Sequence, residues 1–191
     1  MRGTPDRVPR VSTPPREIYK GKVVHLFVET VTLPNGHTTA LEVIHHPGAA
    51  AVVPFLPDGT VLLVRQYRHA AGGYLFEIPA GKLDPGEAPE ACALRETEEE
   101  VGHRVGRLEK LGAILTTPGF TDEIIHLYAG FDLVATASAT EPDEDLTVVR
   151  MPFAEAVAKV ERGEIQDAKS MAALLLAARR GPSGPPLGEH P

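Results

Sequence analysis

The chain has 191 residues, of which 42% are hydrophobic and 24% charged, and its formal net charge is −7 at pH 7. This length is typical of one domain with a proper core, and the acidic balance argues against binding to nucleic acid or anionic membranes. No apolar run approaches the length of a bilayer span, and no apolar signal segment begins the chain. A single cysteine, Cys92, excludes an internal disulfide framework. We therefore expect a cytoplasmic protein without nucleic-acid or membrane partners.

The N-terminal quarter predicts a disordered tail followed by a β ribbon. Residues 1–15 are rich in Pro, Arg and Thr, which is typical of a segment without fixed structure. Residues 20–33 are rich in β-branched side chains and predict a strand, and residues 38–44 predict another. The turn signal Pro34-Asn35-Gly36 lies between them. Residues 16–46 are therefore expected to form a β-hairpin ribbon.

Residues 47–180 predict a single α/β domain. Strands are predicted over residues 48–56, 61–67, 74–78, 108–115, 123–131 and 148–151, and helices over 88–101, 153–161 and 168–180. The order of these elements favours an α/β/α sandwich with a mixed sheet. Residues 136–145 are polar and acidic and predict a mobile loop, and the Gly/Pro-rich residues 181–191 predict a second disordered tail.

The helix predicted over residues 88–101 carries three carboxylates on one face. Glu96, Glu99 and Glu100 stand at i, i+3 and i+4, so their side chains project in the same direction. Such like charges repel by roughly 0.2–0.5 kcal/mol per pair, and a divalent cation that prefers oxygen ligands reverses this effect. Arg95 stands one turn before Glu99 and is placed to orient it. Taken alone, a run of glutamates is more commonly a solvated helix face.

The spacing of the surrounding residues distinguishes a cation site from a solvated helix face. The pattern is Gly81, five residues, Glu87, seven residues, Arg95-Glu96, two residues, Glu99-Glu100, one residue, Gly102. Seven identities at fixed offsets arise by chance on the order of once in a million chains of this length. The pattern resembles the Nudix box, the signature of hydrolases that cleave nucleoside diphosphates linked to another group. Thr97 and His103 depart from it, because the family usually has an aliphatic residue at both packing positions.

The resemblance implies a Nudix fold and a Mg²⁺ site, with Mn²⁺ as an alternative ion. The implied metal ligands are the backbone carbonyl of Ala80 and the carboxylates of Glu96, Glu99 and Glu100. Glu99 and Arg95 are also implied in catalysis. Glu87, in the loop before the helix, is expected either to brace that loop or to reach the same ion.

Flanking segments resemble the ADP-ribose pyrophosphatase branch of the family. Pro118 opens a Pro-Gly-x-x-x-Glu segment that ends at Glu123, and the segment Glu77-Ile78-Pro79-Ala80-Gly81 is also similar to that branch. The likeness implies that Pro118 and Glu123 contact the substrate, Glu123 near its terminal ribose. It favours Arg68 as the ligand of the diphosphate, with Arg65 as a weaker candidate, because a guanidinium binds phosphate oxygens bidentately.

Other positions leave the substrate and the general base open. Glu42 matches the acidic member of a family pair on the adenine side, but Leu41 replaces the usual arginine, which leaves room for another nucleotide sugar such as GDP-mannose. Glu144, and after it Glu141, are candidates for the base that deprotonates water.

The resemblance also implies a homodimer that exchanges its N-terminal ribbon. Two alternatives from other classes are a non-catalytic ADP-ribose-binding module and a purely structural dimerisation domain.

Overall fold

A computed structural model describes residues 10–11, 13–137 and 145–181 of the chain. These residues form two compact units. The first contains the described residues up to His46 together with Leu115–Glu123, and the second contains Pro47–Ile114 and the described residues from Ile124 onward. The predicted domain boundary between residues 46 and 47 coincides with one of the unit boundaries, but the return of residues 115–123 to the first unit was not expected.

The described part of the chain contains thirteen strands and three α-helices. The strands are β1 (Arg10–Val11), β2 (Arg16–Lys20), β3 (His25–Thr32), β4 (Thr38–Ile44), β5 (Ala49–Pro54), β6 (Thr60–Arg68), β7 (Gly73–Glu77), β8 (Ala80–Lys82), β9 (His103–Arg104), β10 (Arg107–Leu115), β11 (Ile124–Phe131), β12 (Val134–Ala135) and β13 (Leu146–Pro152). The helices are α1 (Pro89–Val101), α2 (Phe153–Glu161) and α3 (Ala168–Arg180). A short 3₁₀ turn, His69–Ala71, follows β6.

The first unit is built on a four-stranded antiparallel sheet in which β3 pairs with β1, β2 and β4. The predicted hairpin between β3 and β4 is confirmed, and its turn is closed by a hydrogen bond from Gly36 N to Leu33 O at 2.9 Å. The single strand predicted over residues 20–33 is wrong at its start. The chain turns at Gly21, whose N–H donates to Val24 O. The Tyr19 ring lies where a Cβ of residue 21 would stand, so a glycine fits this turn without displacing the ring.

The second unit has a mixed sheet in the order β10-β11-β5-β8 and an antiparallel sheet in the order β13-β6-β7. Strand β5 runs parallel to β11 and antiparallel to β8, and it is buried on both faces. Ala50 and Val52 pack in the cluster under α1, whereas Ala51 and Val53 pack in the larger cluster that includes residues of α2 and α3. This arrangement confirms the predicted α/β/α sandwich, since helices cover both faces of β5.

Helix α1 begins and ends as its sequence indicates. Pro89 is its first residue, where a missing N–H is tolerated, and Gly102 adopts a left-handed conformation (φ +63°) and donates to Glu98 O. Thr97 is fully buried, and its hydroxyl donates to Ala93 O at 2.7 Å, so this departure from the family pattern leaves no polar group unsatisfied. Among the described residues, no helix combines the length and apolar character needed to cross a bilayer.

Candidate active site

The Arg95 guanidinium on α1 binds three carboxylates, two from the same helix and one from the loop before it. Arg95 Nε and Nη2 donate to the two oxygens of Glu87 at 3.0 and 2.9 Å. Its Nη1 donates to Glu96 Oε1 at 2.6 Å and to Glu99 Oε2 at 3.1 Å. The hydrogen bond from Arg95, with a second from the Asp84 N–H, lowers the pKa of Glu87 to about 2. Glu87 therefore braces the loop before α1, which is one of the two roles expected for it.

The strand that precedes the loop approaches α1 closely. Gly81 lies directly under the Glu96 carboxylate, and a Cβ at position 81 would overlap that group. Ala80 N donates to Glu100 Oε2 at 3.0 Å, and Glu100 is only 4% exposed. A larger residue at position 81 would therefore displace the Glu96 carboxylate from its place over β8. Ala80 contacts α1 through its N–H, and the metal-ligand role of its carbonyl stays a prediction.

The chemistry of this cluster fits a hard divalent cation. Its candidate ligands are carboxylate and backbone oxygens, which Mg²⁺ and similar ions prefer. In the described residues no three acidic, His or Cys side chains form a group that could hold a metal ion. Arg95 and the Ala80 N–H bind oxygens of the three predicted carboxylate ligands. Glu99 is the most accessible of them, with 42% of its side chain exposed. A bound ion would replace some of these hydrogen bonds as the partners of the carboxylates.

Arg68 is held by a buried carboxylate that sequence reasoning did not single out. Arg68 Nε and Nη2 donate to the two oxygens of Glu77 at 2.8 and 2.9 Å, and Lys169 Nζ from α3 lies 2.5 Å from Glu77 Oε2. Burial acts to raise the pKa of Glu77, but the two cations hold it below its ordinary value. The bond to Glu77 raises the pKa of Arg68, and the charge of Glu100 adds to this effect. Arg68 therefore lies within the electrostatic reach of the α1 carboxylates.

A polar network continues from this pair to the start of α3. Asp167 caps the helix by accepting from Ser170 N, and it also accepts from the Ser170 hydroxyl at 2.5 Å. That hydroxyl oxygen accepts from Ile78 N, and Asp167 lies 3.0 Å from Lys169 Nζ. The only sequence signal for this network was a glutamate, Glu77, at the end of an otherwise apolar strand. The network anchors the segment that leads from β7 into β8.

Arg65 points away from Arg68. Residues 65 and 68 lie on opposite faces of β6 because side chains alternate along a strand, and Arg68 shares its face with the buried Gln66. The Arg65 guanidinium lies 4.0 Å from the centroid of the Tyr74 ring in a cation–π contact. The structure therefore places Arg68 in the Glu77 network and Arg65 on the opposite face of β6, against Tyr74.

The remaining predicted substrate residues belong to the first unit. Glu42 is exposed on β4, and Pro118 is exposed in a turn that is closed by hydrogen bonds from Phe120 N and Thr121 N to Thr117 O. Glu123 accepts from the Thr116 hydroxyl at 2.9 Å and lies 3.4 Å from His46 Nδ1. Glu141 and Glu144, the candidate general bases, lie outside the described residues.

The end of the acidic segment is described from Asp145 onward. Tyr67 N donates to Asp145 O at 3.0 Å, and the Tyr74 hydroxyl donates to Asp145 Oδ2 at 2.7 Å. This bond raises the pKa of Tyr74. The backbone therefore enters β13 at a position fixed by β6 and β7.

Comparison with known proteins identifies the class to which this fold and site belong. The family model of the NUDIX domain matches residues 45–174, which is more than half of the chain, so the chain belongs to the Nudix family. It is a Nudix hydrolase. Such hydrolases generally use divalent metals.

Relatives of known function cover most of the chain. It is 42% identical over 160 residues to the ADP-ribose pyrophosphatase of Bacillus subtilis (83% of this chain, 86% of the relative). It is 40% identical over 160 residues to a methanol dehydrogenase activator of Bacillus methanolicus, with the same coverage of both chains. A GDP-mannose pyrophosphatase of Cronobacter sakazakii is 39% identical over 143 residues (70% of this chain, 74% of the relative). The crystal structure of an ADP compounds hydrolase has the same fold, with a TM-score of 0.78 and 22% identity (93% of this chain, 96% of the other).

Proposed function

We propose that the chain hydrolyses the pyrophosphate bond of ADP-ribose, giving AMP and ribose 5-phosphate, with Mg²⁺ or Mn²⁺ as the cofactor. The observation that carries the proposal is the cluster of Glu87, Glu96 and Glu99 around one guanidinium on α1, with Glu100 packed beside it. Its resemblance to the ADP-ribose pyrophosphatase named above supports the choice of substrate. In the reaction one water adds across the phosphoanhydride, so each product keeps one phosphate.

Glu96, Glu99, Glu100 and the Ala80 carbonyl would hold the ion or ions. When bound, such ions neutralise a diphosphate, orient it and lower the pKa of a coordinated water. The contribution of the chain is a set of oxygen ligands whose positions are set by α1 and β8. Arg95 orients Glu99 through their hydrogen bond, so both residues support the chemical step.

The chain's own side chains would bind the substrate and move the proton. Arg68 would donate to the diphosphate, because a guanidinium matches two phosphate oxygens at once. A glutamate would take the proton from the attacking water, with Glu144 as the first candidate and Glu141 as the second. General base catalysis of this kind contributes typically about 10²–10⁴-fold.

Three further residues are proposed to recognise the two ends of the substrate. Glu42 would contact the adenine side, and Glu123 would contact the substrate near its terminal ribose. Pro118, in the turn that precedes Glu123, would also contact the substrate. Arg65, stacked on Tyr74, is a weaker candidate for the diphosphate.

The test combines a product assay with a metal-binding measurement on matched variants. The wild-type chain with Mg²⁺ and ADP-ribose should form AMP, and Glu100→Gln should lose both activity and Mg²⁺ affinity measured by calorimetry. Glu98→Gln is the control, because Glu98 is adjacent in sequence but outside the metal pattern. Full activity or unchanged Mg²⁺ affinity in Glu100→Gln would remove the metal-ligand assignment.

A second nucleotide sugar is the main rival substrate. Leu41 occupies the position before Glu42 where ADP-ribose enzymes of this branch usually have an arginine, and a GDP-mannose pyrophosphatase is among the relatives. A panel of ADP-ribose, GDP-mannose and other nucleotide sugars, compared by kcat/KM, separates these possibilities. The complete set of box carboxylates argues against a module that only binds ADP-ribose.

The N-terminal ribbon is proposed to mediate a homodimer. Apolar side chains are exposed on and beside β2, including Ile18, Tyr19 and Val23, which are 43%, 57% and 60% exposed. Such side chains on neighbouring positions are typical of an interaction surface. Sedimentation equilibrium of the wild type and of Val23→Glu tests this, and a monomeric wild type would refute it.

A further inference from the structure

An imidazole lies between two carboxylates immediately after β4. His45 Nδ1 is 2.5 Å from Asp122 Oδ2, and Nε2 is 2.9 Å from Glu29 Oε1. Because a carboxylate oxygen only accepts hydrogen bonds, both ring nitrogens must carry a proton for both bonds to form. The arrangement therefore fits the imidazolium cation and connects two elements of the first unit through one side chain.

The surroundings of His45 favour its charged form. The hydrogen bond to Asp122 raises the pKa of His45 above its ordinary 6.5, burial opposes this, and the bond to Glu29 adds to it. The charged groups that bond the ring are Glu29 from β3 and Asp122 from residues 115–123. The Phe27 ring lies 5.0 Å away between centroids, and the His25 carbonyl accepts from His45 N.

Asp122 belongs to a segment that is hydrogen-bonded to Ile44, the last residue of β4. Ile44 N donates to Phe120 O at 2.8 Å, Asp122 N donates to Ile44 O at 3.3 Å, and Ile44 and Thr121 form a parallel bridge. The second carboxylate oxygen of Asp122 accepts from His46 N at 2.8 Å. Asp122 thus joins its segment to His45 through a side-chain bond and to His46 through a backbone bond. Both residues carry an imidazole, the group whose charge changes near neutral pH, and the His46 ring faces Glu123 rather than Asp122.

Glu123 follows Asp122 directly and is the residue proposed to contact the terminal ribose. Its carboxylate accepts from Thr116 at the other end of the same segment and lies near His46. The position of Glu123 therefore depends on how the segment is fastened to β4. A shift of Asp122 would also move Glu123, because a single peptide unit joins the two residues.

We propose that His45 is a positioning residue for substrate binding, which fixes Glu123 by bridging Glu29 and Asp122. This inference rests on the proposed function, because Glu123 is assigned there to the substrate. His45 itself need not touch the substrate. Its effect should appear in KM, whereas the chemical step belongs to the α1 carboxylates.

The bridge has a defined pH dependence. A raised pKa in the folded state means that the bridge contributes fully below pH 6.5 and is lost as the pH rises through the folded-state pKa. Above that pKa one ring nitrogen loses its proton and presents a lone pair to a carboxylate. KM should therefore rise as the pH increases through the folded-state pKa of His45.

The kinetic test compares His45→Gln and Asp122→Asn with His25→Gln. His25 is the matched control, because it pairs with Glu17 at 2.8 Å and lies against Phe27 in the same sheet. We expect His45→Gln and Asp122→Asn to raise KM for ADP-ribose about tenfold, which is about 1.4 kcal/mol, with kcat within about twofold of wild type. Both should lose the rise of KM with pH, whereas His25→Gln should keep it. Unchanged KM, a loss confined to kcat, or an equal effect in His25→Gln would overturn the proposal.

An activity-independent arm separates this proposal from the proposed function. In NMR titrations the wild-type His45 ring should titrate above pH 6.5, and the Glu123 amide should shift with the same midpoint. Asp122→Asn should lower that midpoint and abolish the coupled shift of Glu123. A His45 midpoint at or below 6.5, or a Glu123 amide that does not respond, would overturn the positioning role even if ADP-ribose is hydrolysed. If ADP-ribose is not hydrolysed, the proposed function fails, and this titration still decides whether His45 positions Glu123.

Discussion

Arg68 and Glu77 form a bidentate ion pair across the β6–β7 ladder, with N···O distances of 2.8 and 2.9 Å. Glu77 is 2% exposed, and its second cationic partner is Lys169 from α3. A buried carboxylate between two cations is costly to disturb, because removal of its charge leaves both partners uncompensated. This pair therefore serves stability and also holds the arginine proposed to bind the diphosphate.

Replacement of Glu77 by glutamine should destabilise the fold and weaken substrate binding. The amide keeps the shape of the side chain but not its charge, so we expect a loss of about 3 kcal/mol in the free energy of unfolding. Urea denaturation measures this loss, and KM for ADP-ribose should increase because Arg68 is no longer oriented. The control is Glu155→Gln, since Glu155 pairs with Arg162 on the surface. Exposed pairs contribute about 1 kcal/mol or less, so equal losses in both variants would contradict this role.

Gly81→Ala should disrupt the site while the rest of the domain stays folded. The new methyl group would overlap the Glu96 carboxylate and push it away from its place on α1. A displacement of about 1 Å in a catalytic constellation can cost on the order of 100-fold in rate, so kcat/KM should fall by that order. Gly73→Ala is the control, because a Cβ there meets open space. Wild-type activity in Gly81→Ala would show that Glu96 is not confined by β8.

Stability should fall in acid partly through Glu87. Its pKa is lowered from 4.5 to about 2 in the folded chain, so its ion pair contributes fully above about pH 4.5 and is lost as the pH falls through about 2. Urea unfolding at a series of pH values should show that the free energy of unfolding falls as the pH decreases. In Glu87→Gln this fall should be less steep between about pH 4.5 and 2. Glu161→Gln, at the exposed end of α2, should keep the wild-type slope. An unchanged slope in Glu87→Gln would contradict the pairing with Arg95.

Thr97 provides a test of how α1 packs. Thr97→Val keeps the shape of the side chain and removes only the bond from its hydroxyl to Ala93 O, so we expect a change of less than about 1 kcal/mol in the free energy of unfolding. Thr97→Ser keeps the hydroxyl but removes a fully buried methyl group, and it should cost about 1 kcal/mol. A large loss of unfolding free energy in Thr97→Val with little loss in Thr97→Ser would show that the hydroxyl bond, and not the buried methyl group, stabilises α1 at this position.

The predictions from sequence succeeded where the information is local. The bounds of α1 follow from Pro89 and Gly102, and the hairpin turn follows from Pro34-Asn35-Gly36, because capping and turn preferences act over a few residues. The split of residues 20–33 was missed because Gly21 lies among residues that favour strands, and the steric effect of Tyr19 on it depends on the folded ribbon.

The sequence by itself determined the carboxylate face of α1, because the helical repeat places Glu96, Glu99 and Glu100 on one side whatever surrounds them. Only the tertiary structure decided which cations and acids meet when they are far apart in the sequence. Lys169 reaches Glu77 across 92 residues and His45 reaches Asp122 across 77 residues. Such pairs depend on the packing of helices and strands that are far apart in the chain, and no local preference of the backbone encodes these contacts.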